Sequence, residues 1–137
     1  MNSAQLTELI RYRMEQAAET LHEAEILYAQ NALRGTINRA YYAMFYALLG
    51  LLATQQLGTS KHSGALSLFD QQFVKTGIFP RELSKNLRMA FELRQTYDYG
   101  EKIALDPKMT AEMIANAKQF ILMVEAYLRS HNYFTTP

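Results

Sequence analysis

Proline and glycine, the residues that most often end helices, are scarce in this chain. The three prolines are Pro80, Pro107 and Pro137, and only six glycines are spread over 137 residues. Because neither residue interrupts long stretches of the sequence, those stretches are free to form helices. No stretch alternates apolar and polar residues for long, so no sheet is predicted. The sequence therefore predicts an all-α fold.

Apolar residues recur at steps of three and four along the uninterrupted stretches. In the first stretch they are Leu6, Ile10, Met14, Ala17, Leu21, Ala24 and Tyr28, and in the last they are Met113, Ala117, Phe120, Val124 and Tyr127. This spacing gives each helix an apolar stripe against which neighbours pack nearly antiparallel. We predict helices over about residues 3–30, 33–55, 63–76, 81–97 and 108–130, the first capped by Asn2 or Ser3.

The second predicted helix is apolar on almost every side, so we expect it at the centre of the fold. The predicted architecture is an up-and-down helical bundle of four long helices plus a shorter one. A single domain is expected over residues 1–137, with its core at about 5–128. The tail at 132–137 is expected to fray.

Composition and charge exclude several classes of protein. The chain has no cysteine, which excludes disulfides and thiolate metal sites. No pair of its three histidines has the spacing of metal ligands, so we predict neither a metal nor a cofactor. A net charge of +1 and a pI near 8.0 lack the strongly basic character of a dedicated DNA-binding domain.

The sequence also predicts a cytoplasmic protein with no membrane contact. The most apolar run, at residues 40–53, spans 14 residues, which is shorter than the roughly 20 that a membrane span needs. The first residues carry no apolar stretch of the kind found in signal peptides.

Two charged residues fall on the apolar face of the helix predicted at 81–97. Four residues define that face: Leu83, Leu87, Ala90 and Phe91. At about 100° per residue, Arg94 and Asp98 fall in its middle. Since a guanidinium is almost never buried without a partner, two interpretations are open. Arg94 pairs with Asp98 four residues further on, or it lines a cleft or subunit interface and receives an anion there.

Polar residues also interrupt the start of the predicted central helix. Asn38 and Arg39 precede Tyr41 and Tyr42, and a cation near a helix N-terminus opposes the helix dipole. Some other interaction must therefore favour Arg39. One interpretation is a buried hydrogen-bond network of Asn38, Arg39 and the tyrosine hydroxyls. The other is a purely structural network, or an acidic partner from the first or last helix.

Taken together, four short motifs in this order resemble the HEPN domain superfamily, and more narrowly its small stand-alone bacterial and archaeal members. They are Asn38-Arg39-Ala40-Tyr41-Tyr42-Ala43 with Phe45 and Ala47, Lys61-His62-Ser63-Gly64, Phe69 with Phe73, and Arg94-Gln95-Thr96-Tyr97-Asp98-Tyr99. The resemblance covers about residues 5–128. It implies a compact helical bundle that forms homodimers, with a minimal nucleotidyltransferase as a partner. Many members are metal-independent ribonucleases, often toxins.

The ribonuclease motif of that family is an Arg, a polar residue, three to five further residues and a His. In the family's mechanism the Arg holds the scissile phosphate and the His moves protons. Here Arg94 matches the Arg and Gln95 the polar residue, but Asp98 and Tyr99 stand where the His is expected. Neither is poised to transfer protons at neutral pH as His is. The resemblance makes Arg94, Asp98 and Tyr99 candidate catalytic residues, and Asn38, Arg39, Tyr42, His62 and Gln95 candidate ligand-binding residues.

Three hypotheses for function follow. The first is a protein that binds a nucleotide or an RNA phosphate and forms half of a toxin–antitoxin-type pair with a minimal nucleotidyltransferase, cleaving RNA weakly or not at all. The second is an active metal-independent endoribonuclease toxin in which Asp98, Tyr99 or His62 handles protons. The third is a structural or adaptor homodimer in which Arg94 and Asp98 pair across the two-fold axis. Low charge content and many aromatic residues favour a homodimer in each case.

Overall fold

Five α-helices make up most of the structure, which is a computed structural model describing residues 1–59, 61–99 and 105–133, the Tyr99 side chain excepted. They are α1 (Ser3–Ala29), α2 (Leu33–Ala53), α3 (His62–Phe69), α4 (Arg81–Tyr99) and α5 (Pro107–Ser130). These ranges contain no strand. The all-α prediction is confirmed, and the predicted ends of the four long helices lie within two residues of the observed ones.

Local sequence sets both ends of α1. The Asn2 side chain accepts a hydrogen bond from the Gln5 backbone N–H at 2.8 Å, and the Gln5 side chain accepts one from the Asn2 N–H at 3.0 Å. This reciprocal capping box satisfies two backbone donors that the helix cannot pair itself. Just after the helix ends, Asn31 has a φ of 59°, a left-handed conformation that asparagine tolerates. The chain turns there into α2.

The helix predicted to be central is central. α2 contacts α1, α3, α4 and α5, and 14 of its 21 residues are buried. Gly50 lets α1 approach closely, since a Cβ at that position would lie 3.2 Å from Met14 Sδ. In the described part of the chain, neither α2 nor any other helix combines the length and apolarity required to span a bilayer.

The predicted apolar stripes of α1 and α5 face the core. Their central residues are buried: Ile10, Met14, Ala17, Leu21 and Ala24 in α1, and Met113, Ala117, Phe120 and Val124 in α5. The residues at the ends of the stripes, Leu6, Tyr28 and Tyr127, are partly exposed. α1, α2 and α5 pack against one another, while α4 packs on α2 and α5.

The third predicted helix, at 63–76, differs from the structure. α3 ends at Phe69, and a π-helical turn, Asp70–Val74, continues it. Phe69 and Phe73 are both fully buried, as the apolar spacing requires. The Asp70 carboxylate faces α4, where it accepts hydrogen bonds from Ser84 and Arg88. The wider turn is not visible in the sequence because the same spacing of Phe69 and Phe73 suits an α-helix.

Candidate functional site

Three of the predicted residues, Tyr42, His62 and Arg94, meet where the first half of α2 lies beside the last half of α4 and the start of α3. α2 supplies Tyr41, Tyr42 and Phe45, α3 supplies His62, and α4 supplies Phe91 and Arg94. We call these six residues the site cluster. They meet because α2 contacts both α3 and α4.

Arg94 lies inside the site cluster and not in solvent. The residue is only 8% exposed. Its guanidinium carbon lies 5.2 Å from the ring centre of Tyr41, 5.5 Å from that of Tyr42 and 5.9 Å from that of Phe91. Three ring faces thus stabilise the cation by cation–π attraction. Its Nη1 also donates a hydrogen bond to the Tyr42 hydroxyl oxygen at 3.2 Å.

Asp98 contacts Arg94 from the same helix, as the spacing of four residues predicts. Arg94 Nη1 and Asp98 Oδ2 are 3.8 Å apart, and the Asp98 side chain is 22% exposed. Asp98 Oδ2 also accepts a hydrogen bond from Asn38 Nδ2 at 3.2 Å. The carboxylate therefore links α4 to the start of α2, and the predicted ion pair coexists with the burial of Arg94.

The environment of Arg39 corrects one of the two interpretations made from the sequence. Among the described residues Arg39 bonds to Asn38 and Glu23 and to no tyrosine hydroxyl, and its side chain is 36% exposed, so the predicted buried network does not form around it. Arg39 donates from Nε and Nη2 to Asn38 Oδ1, at 3.2 and 2.9 Å, and it lies 3.5 Å from Glu23 of α1. The acidic partner from α1 is the alternative that the structure supports. Arg39 meets Tyr42 through the ring, 5.8 Å from its centre.

His62 and Arg94 belong to the same cluster although 32 positions of sequence separate them. His62 Nδ1 lies 2.7 Å from the Tyr41 hydroxyl oxygen. Its ring stacks on Phe45 with centres 4.1 Å apart and planes inclined by 11°. Since Arg94 lies over the Tyr41 ring as well, the imidazole and the guanidinium share a neighbour. The fold thus brings a histidine to Arg94 from α3.

Burial and the Arg94 charge set the protonation of the site. Burial, and secondarily the positive charge of Arg94, lower the pKa of His62 below its usual value. Burial also raises the pKa of Tyr41 well above its usual value, with Arg94 opposing the shift and Tyr42 adding to it. At neutral pH both groups are therefore uncharged, and the cation of the site cluster is Arg94.

Two predicted residues remain, Gln95 and Tyr99. Gln95 is exposed on α4 and makes no hydrogen bond to the described site residues. Tyr99 is the last residue of α4, and its side chain lies outside the described part of the structure. Among the described residues, no group of three or more His, Asp or Glu side chains is placed to hold a metal ion.

Three members of the site cluster were not among the predicted site residues: Tyr41, Phe45 and Phe91. A signal for them exists. Tyr41 and Phe45 lie one helical turn apart, on either side of Tyr42, and Phe91 precedes Arg94 by three positions on the same helix face. An arginine on an apolar face needs groups that stabilise its charge, and aromatic rings on the neighbouring helix turns can do so by cation–π contact.

Comparisons with known proteins identify the family of this chain. The HEPN domain family matches residues 10–127, which include all six residues of the site cluster. A UPF0332 protein of Thermotoga maritima is 38% identical over 85% of this chain and 89% of its own length.

Two further relatives, both from Methanocaldococcus jannaschii, bear the name "Putative toxin". One is 32% identical over 87% of this chain and 81% of its own length. The other is 30% identical over 85% of this chain and 94% of its own length. The match over most of the chain, together with the helical fold, shows that the chain belongs to the HEPN domain family.

Proposed function

We propose that this HEPN protein binds a phosphate group of RNA at Arg94. The observation that carries the proposal is a guanidinium 8% exposed among three aromatic rings, with its nearest described carboxylate at 3.8 Å. Charges attract more strongly where water is excluded, and Arg forms charge-assisted hydrogen bonds with phosphate oxygens. An arriving phosphate can replace the long contact to Asp98 with a shorter one.

The surroundings of Arg94 favour a nucleotide-bearing ligand over an isolated phosphate ion. Tyr42 and Tyr46 lie one helical turn apart on α2, with ring centres 5.9 Å apart, and both are partly exposed. Aromatic side chains of this kind stack on bases without regard to sequence. Arg39, beside Tyr42, adds a second cation for the neighbouring phosphate.

The proposed biological role is that of a cytoplasmic partner in a toxin–antitoxin-type pair with a minimal nucleotidyltransferase. The names of the two M. jannaschii relatives support the toxin part of this role. The nucleotidyltransferase is what membership of the family leads us to expect. Co-purification of this chain with such a protein encoded beside it would test the pairing, and a chain that stays unbound when both are co-expressed would contradict it.

We further propose that the protein is a homodimer. Only 20% of its residues are charged, and large apolar side chains, Tyr12, Ile26 and Leu122 among them, are exposed on the bundle. A second copy would cover such apolar surface. Sedimentation at micromolar concentration tests this, and a monomer there would contradict it.

RNA binding is tested by fluorescence anisotropy with labelled single-stranded RNA at low salt. Arg94→Ala should weaken binding by about tenfold to a hundredfold, since it removes a charge-assisted contact. Arg88→Ala is the matched control on the same helix, because Arg88 is 46% exposed and bonded to Asp70. Equal binding by wild type and Arg94→Ala would contradict the proposed site.

A second candidate function is metal-independent RNA cleavage. The observation in its favour is that His62 and Arg94 both contact Tyr41, so that a cation able to bind phosphate and a group able to transfer protons occupy one cluster. Incubation with tRNA in EDTA tests it. Cleavage lost in both Arg94→Ala and His62→Ala would support this function, whereas cleavage that persists in both variants would come from a contaminant.

The adaptor hypothesis has Arg94 and Asp98 pair across a two-fold axis, whereas in this chain the two side chains pair within one helix. If Arg94 serves assembly alone, Arg94→Ala weakens the dimer and the unaltered protein shows no affinity for RNA. Sedimentation of the variant beside the anisotropy measurement separates this case from the first proposal.

A further inference from the structure

The contact between Tyr41 and His62 is more specific than packing requires. Tyr41 is fully buried, and its hydroxyl oxygen lies 2.7 Å from His62 Nδ1. The His62 ring is held on one side by the nearly parallel face of Phe45, 4.1 Å away, and it meets Tyr42 edge-on at 5.7 Å. These three rings fix both the plane of the imidazole and the edge that points at Tyr41.

The direction of this hydrogen bond follows from the groups around it. A buried hydroxyl needs an acceptor for its proton, and within the described residues the acceptor in reach of Tyr41 is His62 Nδ1. Arg94, the cation over the Tyr41 ring, has only donors to offer. Among the described residues, the titratable and charged groups that face His62 are Tyr41 and Tyr42 from α2 and Arg94 from α4, and none of these is an anion that would favour an imidazolium. Tyr41 therefore donates to Nδ1.

Accepting at Nδ1 places the ring proton of a neutral imidazole on Nε2. The burial of the pair and the positive charge of Arg94 agree with a neutral ring. In the described part of the chain Nε2 has no hydrogen-bond partner, and His62 is partly exposed. The edge of His62 that remains for a ligand is thus an N–H donor without charge.

We propose that Tyr41 holds His62 as the Nε2–H tautomer, so that His62 donates a hydrogen bond to an RNA phosphate held by Arg94. The inference rests on the proposed function and adds the second phosphate-binding residue. Tyr41 is a positioning residue, and His62 contacts the ligand. A neutral donor adds a hydrogen bond without placing a second positive charge beside the buried guanidinium.

The tautomer also bears on cleavage. With its proton on Nε2 and its Nδ1 lone pair occupied by Tyr41, His62 has no free lone pair to take a proton from a 2′-hydroxyl. The contact with Tyr41 that makes His62 a hydrogen-bond donor to phosphate also makes it a poor general base. The inference therefore predicts RNA binding with weak cleavage in this chain, whose α4 lacks the histidine of the family motif.

The tautomer is measured by long-range ¹H–¹⁵N NMR of the imidazole in the full chain without ligand, with the His62 signals assigned from their loss in His62→Gln. We expect the Nε2–H form at pH 7.5. In Tyr41→Phe we expect the His62 nitrogen shifts to move towards a mixture of tautomers, while those of His22 stay in place. A His62 ring protonated at Nδ1 in the unaltered protein would overturn the inference.

The phosphate contact is measured by anisotropy with the same labelled RNA. His62→Phe keeps an aromatic ring on Phe45 but lacks the donor, and it should weaken binding about tenfold. His62→Gln places an amide N–H near the Nε2 position and should stay within about threefold of wild type. If Arg94→Ala loses binding and His62→Phe does not, this inference is wrong and the proposed function stands. If neither loses binding, the proposed function itself is wrong.

Discussion

Two aromatic clusters in this molecule are built alike and differ in what they enclose. The phenylalanine cluster consists of Phe69, Phe73, Phe79 and Phe120, with ring centres 5.5 to 6.2 Å apart and exposures from 0 to 4%. The site cluster has similar ring spacing but contains a guanidinium, an imidazole and two hydroxyls. Aromatic packing alone therefore does not distinguish core from site. The guanidinium and the hydrogen-bonded histidine make that distinction.

The largest expected effect comes from emptying the phenylalanine cluster. Phe120→Ala should lower the free energy of unfolding by about 3–5 kcal/mol, because it removes a fully buried ring and leaves a cavity. Urea denaturation measures the loss. A loss of unfolding free energy below about 1 kcal/mol would contradict the core role of the phenylalanine cluster. A loss of RNA affinity in the folded protein as large as in Arg94→Ala would contradict the difference between the two clusters.

A smaller effect is expected from turning a site ring into a plain core ring. Tyr41→Phe removes only the hydroxyl that bonds His62, and it should cost about 0.5–1.5 kcal/mol of unfolding free energy. Tyr12→Phe is the matched control, since Tyr12 is 54% exposed, and it should leave stability unchanged. A variant more stable than wild type would show that the hydroxyl is not satisfied by His62.

Arg94→Met should change the free energy of unfolding by less than about 1 kcal/mol in either direction. Replacing a buried ion by an apolar side chain of similar length is often neutral or stabilising, and Asp98 keeps its hydrogen bond to Asn38. The variant should nevertheless lose RNA affinity. Stability that collapses by several kcal/mol would instead identify Arg94 as a structural residue like the phenylalanines.

The smallest effect is a pH dependence of stability that His62 contributes. Because the pKa of His62 is lower in the folded protein than in the unfolded chain, the unfolded state binds more protons as pH falls below about 6.5. The stabilising contribution of the neutral ring is complete above that pH and is lost as pH falls towards the folded pKa. Urea denaturation at pH 7.5 and 5.5 should show a decrease that His62→Gln reduces. The exposed His22→Gln variant is the control and should retain the full decrease in unfolding free energy. An equal decrease in both variants would contradict the assignment of this pH dependence to His62.

The sequence was sufficient for the fold but only in part for the site. Apolar steps of three and four place Ile10, Met14 and Phe120 in the core because helical periodicity is local, and the same periodicity turns Arg94 inward. It does not place His62 beside Arg94, since that depends on how α3 docks on α2. The sequence offered an acidic partner for Arg39 from the first or last helix but did not identify it, because Glu23 is one of several acidic residues on α1.

The central claim is that the cation of the site cluster, and not one of the exposed arginines, meets the RNA phosphate. NMR of the arginine Nε–H groups and of the histidine rings during titration with short single-stranded RNA tests it directly. We predict that the signals of Arg94 and His62 shift together and saturably, while those of Arg88 and His22 stay in place. Shifts at Arg88 with Arg94 and His62 unmoved would contradict the account.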